Sequence, residues 1–252
     1  MPTDYTEDYL LDKQVKIFQP VDGYRASSDA VLLSAMVANV KTGGRILDVG
    51  AGTGAISLCL AQRLQKQQVR IDGLELQPKL AELADLSAQA NGFDFVRFYN
   101  IDIRQKINNA EIAPCSYDAI ISNPPYSEHD MPSPNASKAA AHNHNAFGLE
   151  QWLNFCLKMA KPFGRIYMVN RVEALPQICT TLKDKAGGLV ILPLYSKIGQ
   201  EAKRVIVAAQ KDSKAPCRIL PPFITHDASG KYTLQAEKVL RAGLSFADIL
   251  QT

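Results

Sequence analysis

The sequence lacks the features that mark several broad classes of protein. It has no stretch of about 18 apolar residues, so we expect no membrane-spanning helix. Its first residues are acidic and do not form the basic and apolar regions of a signal peptide. The five cysteines are scattered, odd in number and never in Cys-x-x-Cys spacing, which indicates reduced, mostly buried thiols. Together these absences predict a cytoplasmic protein.

Several catalytic signatures are missing as well. The chain has no Gly-x-Ser-x-Gly turn of a hydrolase and no Gly-x-x-x-x-Gly-Lys phosphate loop. His129, His142 and His144 lie in one segment, but their spacing is not that of metal ligands, so no metal site is expected. The one tryptophan, Trp152, lies in a helical pattern and is expected to pack a helix and not to stack on a base.

What is present is the composition of an ordinary globular protein. The 252 residues are 46% hydrophobic and 21% charged, which suits one α/β domain with a sizeable core. The net charge of +3 permits RNA binding without indicating it, because the relevant test is a local basic patch. The candidate patch residues are Lys13, Lys16, Arg25, Lys138, Lys197, Lys203 and Arg204.

Apolar runs alternate between strand-like and helix-like patterns along most of the chain. This alternation predicts a mostly parallel sheet with helices on both faces. Residues 1–16 are polar and expected to be loosely ordered, and residues 127–147 are interpreted as a long loop that acts as a lid or becomes ordered on substrate binding. The predicted strands are 45–50, 69–76, 95–101, 117–122, 164–170, 189–195 and 203–210, and the predicted helices are 28–40, 54–66, 78–90, 149–160, 172–186 and 233–242.

A glycine-rich loop follows the first of these strands. Asp48 precedes Gly50, Ala51, Gly52 and Gly54, in the spacing Asp-x-Gly-x-Gly-x-Gly. This is not the Gly-x-Gly-x-x-Gly spacing of dinucleotide enzymes. Glycines allow a ligand to approach the backbone, and the following helix N-terminus favours an anion, here a carboxylate.

The next two strands end in acidic residues. Glu75 could accept hydrogen bonds from both hydroxyls of a ribose, and Asp102 could accept from the amino group of an adenine. Each acid could instead cap the helix or turn that follows it. Asn123-Pro124-Pro125-Tyr126 then follows the fourth strand. The prolines hold the backbone extended, so Asn123 and the Pro124 carbonyl can offer two acceptors to a planar amino group. A plain turn is the alternative.

With these motifs, the chain resembles the class I S-adenosylmethionine-dependent methyltransferases that act on amino groups. More closely, it resembles bacterial enzymes that methylate the 6-amino group of the adenosine 3′ to the anticodon of a valine tRNA. The resemblance extends from Phe18 to about Gly243, and it includes the segments 23–33 and 199–207. It implies a single Rossmann-like domain over 1–252, divided into an N-terminal segment (1–44), a core (45–211) and a tail (212–252). The implied sheet has seven strands and ends in an antiparallel hairpin.

The resemblance also implies a cofactor, S-adenosylmethionine, and a tRNA substrate. It assigns Asn123, Pro124 and Tyr126 to catalysis and Tyr126, Lys138, Lys203 and Arg204 to substrate binding. Asp48 is expected to hold either the glycine loop or the methionine ammonium of the cofactor. The remaining cofactor-binding candidates are Arg25, Ser28, Asp29, Gly50, Ala51, Gly52, Gly54, Glu75, Leu76, Asp102, Ile103 and Asn123.

Two related activities remain open at this stage. Asn-Pro-Pro-Tyr also occurs in enzymes that methylate a glutamine side-chain amide, but those usually carry a helical N-terminal domain. A guanine 2-amino methyltransferase acting on rRNA is the second alternative. We expect a monomer, with a homodimer as the other possibility.

Overall fold

The computed structural model describes residues 4–23, 25–37, 40–125 and 147–250. Its centre is a nine-stranded sheet in the order β5-β4-β3-β6-β7-β9-β8-β10, with β11 also paired to β8. The strands of this sheet are β3 (Arg45–Val49), β4 (Arg70–Glu75), β5 (Val96–Asn100), β6 (Tyr117–Ser122), β7 (Ala160–Arg171), β8 (Ala186–Lys197), β9 (Arg204–Lys211), β10 (Arg218–Ile219) and β11 (Phe223–His226).

The predicted sheet type is confirmed. Strands β3 to β7 are parallel to one another, and β9 is antiparallel to both β7 and β8. Seven strands thus form the expected sheet with its antiparallel hairpin. The tail adds the short β10 and β11 beside β8, both parallel to it.

Helices cover both faces of the sheet, as predicted. Strand side chains alternate between two apolar clusters, so that Ile46 faces one cluster and Leu47 faces the other. The first cluster includes residues of α1, α2, α3, α6 and α7, and the second includes residues of α4 and α5. The helices are α1 (Ser28–Met36), α2 (Ala55–Leu64), α3 (Pro78–Ala90), α4 (Leu149–Met159), α5 (Leu175–Leu182), α6 (Leu234–Leu240) and α7 (Phe246–Leu250).

The expectation that residues 1–16 are loosely ordered is wrong for the residues that the structure describes. Strand β1 (Tyr5–Leu10) pairs with β2 (Val15–Pro20) as an antiparallel hairpin. Val15 and Ile17 alternate into the core and are fully buried, which is the period-two pattern of a strand. The hairpin also bonds to α3, where Ser87 Oγ accepts from the Phe18 N–H at 2.9 Å.

Three predicted boundaries also shift. The first helix ends at Met36 and not at residue 40, and α4 ends at Met159. Strand β7 starts directly afterwards at Ala160, because the segment 161–164 forms an irregularity within the strand and does not separate it from the helix. The helix expected over 172–186 is a short 3₁₀ turn followed by α5.

A partly buried arginine attaches the C-terminal tail to the core. Arg63 of α2 donates to the carbonyl oxygens of Val239 at 3.1 Å and Leu244 at 2.7 Å, and also to that of Gly243. It reaches the Ser34 hydroxyl of α1 at 3.2 Å as well. One side chain therefore links α1, α2 and the tail. Within the described ranges, no helix has the length and apolar character needed to cross a membrane.

Candidate active site

A cavity of about 500 Å³ opens at the carboxyl ends of the central parallel strands. This is where open α/β sheets bind ligands, at the point where strand order reverses between β3 and β6. The loops after β3, β4, β5 and β6, together with α4 and the end of β7, supply its walls. The lining residues are Gly50, Gly52, Leu74, Glu75, Leu76, Gln77, Leu80, Ile101, Asp102, Ile103, Arg104, Asn123, Pro124, Pro125, Phe147, Trp152 and Arg171.

The glycine loop after β3 is attached to the end of β4. The N–H groups of Gly50 and Ala51 both donate to the Leu74 carbonyl at 2.9 Å. The Gly52 N–H donates to Glu75 Oε2 at 2.8 Å. The glycine loop was expected to bind the carboxylate of a ligand, but the carboxylate that the Gly52 amide binds is that of Glu75. Gly50 and Gly52 line the cavity, whereas Ala51 and Gly54 lie outside its lining.

Gly54 serves packing and chain reversal. It precedes α2 with a φ of +83°, and a Cβ there would lie 2.6 Å from Phe98 Cζ. A side chain at this position would have to displace a buried ring in a backbone region that L-residues rarely adopt. Gly54 thus allows α2 to begin directly above β5.

Glu75 lies at the cavity wall with its carboxylate held in place. Its side chain is buried, and besides the Gly52 N–H it accepts from the Gln77 N–H at 2.8 Å. Burial raises the pKa of Glu75, and the backbone hydrogen bonds oppose that rise by favouring the charged form. The remaining lone pairs of the carboxylate suit two neighbouring hydroxyls.

Asp102 also lines the cavity, but its carboxylate is already fully engaged. Oδ1 accepts from Arg104 Nε at 2.8 Å and from the Arg104 N–H at 3.0 Å. Oδ2 accepts from Arg104 Nη2 at 2.8 Å and from Gln105 Nε2 at 3.3 Å. The Arg104 side chain, through its hydrogen bonds, lowers the pKa of Asp102. The apolar Leu76, Leu80, Ile101 and Ile103 form the neighbouring walls, as the flat faces of an adenine require.

Asn123 and Pro124 lie in the cavity wall directly after β6. Asn123 Oδ1 is buried and accepts no hydrogen bond within the described part of the chain. Buried polar oxygens rarely lack a partner, because each loses its bonds to water. This oxygen therefore marks a position where a ligand donor would fit. Tyr126, the last residue of the motif, lies outside the described residues, and so does Lys138.

Asp48 lies beneath the glycine loop and not in the lining of the cavity. It is fully buried, and its Oδ2 accepts from the Ser57 hydroxyl of α2 at 2.8 Å. Among the residues described, Oδ1 has no partner. Burial raises the pKa of Asp48 to about 7. Of the two roles predicted for Asp48, its contact with Ser57 supports the one of holding the loop against its helix.

The other candidates from the N-terminal segment and from β9 lie away from the cavity lining. Arg25 Nη2 pairs with Asp8 of the hairpin at 2.6 Å and thereby fixes the hairpin to the chain before α1. Ser28 is the exposed first residue of α1. Asp29 pairs with Arg204 at 3.3 Å, so a predicted cofactor ligand and a predicted RNA ligand contact each other. Lys203 precedes β9.

The sequence analysis missed several residues that line the cavity. Arg171 is the last residue of β7. Because ligands of open α/β sheets bind at the carboxyl ends of the strands, the sequence could have identified it. Arg104 follows Asp102 by two positions and was detectable as its ion-pair partner. Phe147 and Trp152 had no sequence signal for this position. Trp152 does pack α4 as expected, and its indole in addition forms part of the cavity wall.

Metal ligation has no candidate in the part of the chain that the structure describes. No group of three or more His, Cys, Asp or Glu side chains there is arranged to hold an ion. The three histidines considered from the sequence lie outside the described ranges.

Comparison with known proteins agrees with this geometry. The model of the methyltransferase small domain family matches residues 25–144. Two tRNA1(Val) (adenine(37)-N6)-methyltransferases, from Tolumonas auensis and Dyadobacter fermentans, are each 30% identical to the chain. The alignments cover 84% of the chain and 92% of the first relative, and 89% of the chain and 94% of the second.

Solved structures share the fold. A structure described as a predicted O-methyltransferase from Agrobacterium tumefaciens has a TM-score of 0.69 at 23% identity, covering 86% of this chain and 96% of its own. TYW2 from P. horikoshii, solved with MeSAdo, has a TM-score of 0.53 at 16% identity, covering 83% and 72%.

The fold and the cavity at its strand ends define a class I S-adenosylmethionine-dependent methyltransferase, as the sequence motifs predicted. Within that class, the chain belongs to the family of the tRNA1(Val) (adenine(37)-N6)-methyltransferases. Its cofactor is S-adenosylmethionine, and the cavity fits it in its apolar walls and in the carboxylate of Glu75, whereas the Asp102 carboxylate is occupied by Arg104 and Gln105.

Proposed function

We propose that this protein methylates the exocyclic 6-amino group of an adenosine in tRNA. Its relatives are named for adenosine 37 of tRNA1(Val), and we propose the same nucleotide here. The observation that carries the proposal is the buried, unpartnered Oδ1 of Asn123 at the cavity wall. An amide oxygen in that position accepts an N–H, which an exocyclic amine supplies.

The cofactor, when bound, supplies an electrophilic methyl group on a sulfonium. Glu75 would accept hydrogen bonds from the ribose hydroxyls, because the Gly52 and Gln77 amides hold its carboxylate at the cavity wall. The Ile103 N–H would bind the adenine edge, Leu76 would pack on its face, and Asp102 would accept from the adenine amino group once a donor from Arg104 or Gln105 is displaced. Gly50 and Gly52 allow the loop to approach the cofactor without side chains in the way.

The protein activates a poor nucleophile by accepting hydrogen bonds from its two N–H groups. An exocyclic amine is weakly nucleophilic because its lone pair is delocalised into the ring. Asn123 Oδ1 and the Pro124 carbonyl accept its two N–H groups and favour a more tetrahedral nitrogen. Because positive charge builds on that nitrogen, both hydrogen bonds strengthen in the transition state. The N–CH3 bond would form as the S–CH3 bond breaks, and the cationic nitrogen would then lose one proton to solvent, so no dedicated general base is needed in this scheme.

Substrate recognition needs residues beyond the cavity. The target adenine must leave its stack, which costs a few kcal/mol. We assign its stacking to Tyr126, a contact worth roughly 1–3 kcal/mol. Lys138, Lys203 and Arg204 are proposed to contact RNA. Asp29 pairs with the Arg204 guanidinium, so in this assignment it would orient Arg204 toward RNA. Asp29 and Ser28 would then affect cofactor binding only indirectly.

Three broader properties belong to the same proposal. The hairpin, the sheet and the tail form one methyltransferase domain, supported by the bonds of Ser87 to β2 and of Arg63 to the tail. A tRNA substrate implies a cytoplasmic location. We propose a monomer, since the cavity is built from one chain.

The test is methyl transfer from labelled S-adenosylmethionine to an unmodified valine tRNA transcript, followed by nucleoside mass spectrometry. We expect 6-methyladenosine in this transcript. No product should form when guanosine replaces the adenosine at nucleotide 37, the position named for the relatives. Labelling of a protein fraction with none in RNA would overturn the proposal in favour of glutamine amide methylation. A 2-methylguanosine product would favour the rRNA alternative.

A further inference from the structure

One buried hydroxyl joins the two loops that form the active site. Ser122 is the last residue of β6 and is fully buried. Its Oγ donates to the Val49 carbonyl at 2.7 Å and accepts from Trp152 Nε1 at 2.8 Å. Ser122 directly precedes Asn123, and Val49 directly precedes Gly50. The hydroxyl therefore bridges the catalytic motif and the glycine loop at the points where they leave the sheet.

The indole of Trp152 contacts the same region a second time. A Cβ on Gly50 would lie 2.9 Å from Trp152 Cζ2, so the ring packs directly on the backbone of the glycine loop. Phe147 packs edge-on against the indole, with ring centroids 6.1 Å apart. Trp152 thus holds Ser122 by its N–H and Gly50 by its ring.

These contacts begin where the sheet stops constraining the chain. Val49 and Ser122 are the last residues paired between β3 and β6. Backbone bonds to Leu74 hold Gly50 and Ala51 against β4, but no pairing between β3 and β6 continues beyond Ser122. The separation between Asn123 and the glycine loop therefore depends on side chains as well. For methyl transfer, a misplacement of about 1 Å can lower the rate by roughly 10²-fold.

We propose that Ser122 and Trp152 are positioning residues for methyl transfer, which hold the Asn123 and Pro124 acceptors at a fixed distance from the cofactor. Ser122 is fully buried and outside the cavity lining, so in this proposal it acts through the residues that it contacts, and Trp152 acts through Ser122 and Gly50. The inference rests on the proposed function, since it concerns the acceptor amine of that reaction. Their loss should therefore lower kcat, while affinity for the cofactor, which Glu75 and Asp102 provide, changes little.

The test compares three variants with a matched control. Ser122→Ala removes both hydrogen bonds, Trp152→Phe removes the N–H and keeps an aromatic ring, and the third combines them. The control is Ser87→Ala, because Ser87 is also fully buried and joins two elements. Its Oγ donates to the Leu83 carbonyl at 2.7 Å and accepts from the Phe18 N–H at 2.9 Å, away from the cavity.

We expect Ser122→Ala to lower kcat on tRNA by roughly 10- to 100-fold, with the cofactor Kd changed less than about threefold. Trp152→Phe should lower kcat less than Ser122→Ala. The double variant should lose less than the product of the two single losses, because both single changes break the Ser122–Trp152 bond. Ser87→Ala should lose a similar amount of thermal stability and keep its kcat.

Fluorescence gives an independent readout, because Trp152 is the one tryptophan in the sequence. Its emission maximum should shift in Ser122→Ala, which removes the acceptor of the indole N–H, and stay unchanged in Ser87→Ala. Normal kcat in Ser122→Ala, or an equal kcat loss in Ser87→Ala, would overturn the positioning role while leaving the proposed function intact. A wild-type protein that transfers no methyl group to tRNA would instead overturn the proposed function, and the positioning role with it.

Discussion

Glu75 Oε2 accepts a hydrogen bond from the backbone N–H of Gly52 at 2.8 Å. The acid at the end of β4 and the loop after β3 are therefore one unit, although they are separated in sequence. The bond orients the carboxylate before any ligand arrives, which reduces the entropy lost on binding. Loss of the Glu75 carboxylate should therefore weaken cofactor binding and change the conformation of the glycine loop.

Replacing Glu75 with Gln should weaken cofactor binding by roughly 10- to 100-fold. A hydrogen bond to a charged group contributes about 1.5–3 kcal/mol, and Gln keeps the size of the side chain while removing its charge. Calorimetric titration with S-adenosylmethionine measures the effect. Asp85→Asn is the control, because Asp85 is a partly buried acid outside the cavity lining that likewise accepts a backbone N–H, from Phe98 at 3.1 Å. Equal affinities for wild type and Glu75→Gln would refute the assignment of Glu75 to the ribose.

Replacing Asn123 with Ala should abolish most turnover and leave cofactor binding intact. Its Oδ1 makes no bond within the described residues, so the folded state loses little, whereas the transition state loses an acceptor. Removal of one such group typically costs about 10²- to 10³-fold in kcat. Single-turnover methylation of the valine tRNA transcript measures this loss.

The control for this variant is Asn91→Ala. The Asn91 side chain bonds the Lys16 carbonyl at 2.7 Å and caps α3, so its loss should reduce stability without changing kcat per folded molecule. Near-normal turnover of Asn123→Ala would contradict the proposed mechanism.

Replacing Arg104 with Ala should strengthen cofactor binding several-fold. A carboxylate offers about four acceptor positions, and donors from Arg104 and Gln105 take four on Asp102. An adenine amino group can bond to Asp102 only by displacing one of them. Calorimetric Kd values for Arg104→Ala and Gln105→Ala would separate the two donors. Weaker binding by Arg104→Ala would show that the guanidinium contacts the cofactor itself.

The sequence predicted the parts of this site that depend on local order along the chain. Glu75, Asp102 and Asn123 each follow an apolar strand, and parallel strands bring their carboxyl ends to one edge. Their meeting in one cavity wall follows from that topology. The glycine loop was equally recognisable, although its Gly52 amide turned out to bind Glu75.

Other features depend on packing that no local pattern specifies. Trp152 reaches the cavity because the packing of α4 on the sheet places its indole on Gly50 and its N–H on Ser122. The β1–β2 hairpin was missed because its polar residues conceal the alternation of Val15 and Ile17, which matters only once α3 covers it. Arg25 was assigned to the cofactor on resemblance, whereas Asp8 of that hairpin is its partner.

Asp48 makes stability depend on pH in a direction opposite to that of most carboxylates. Burial raises its pKa in the folded protein to about 7, above the ordinary value of 3.8. Between these two pH values the folded state binds the proton more tightly than the unfolded state. The contribution of Asp48 to the free energy of unfolding therefore falls as pH rises from about 4 to about 7. The slope is at most about 1.4 kcal/mol per pH unit.

Asp48→Asn should remove this slope, because the amide stays neutral and its oxygen still accepts from Ser57. Urea unfolding at pH 5, 6, 7 and 8 gives the free energy of unfolding of both proteins. The free energy of unfolding of Asp48→Asn minus that of the wild type should increase as pH rises and level off above about pH 7. Ser57→Ala, which removes the bond that favours the charged form, should instead extend the loss of stability to higher pH. A constant difference between wild type and Asp48→Asn would mean that Asp48 keeps its charge in the folded protein, with a cation or water compensating for the burial.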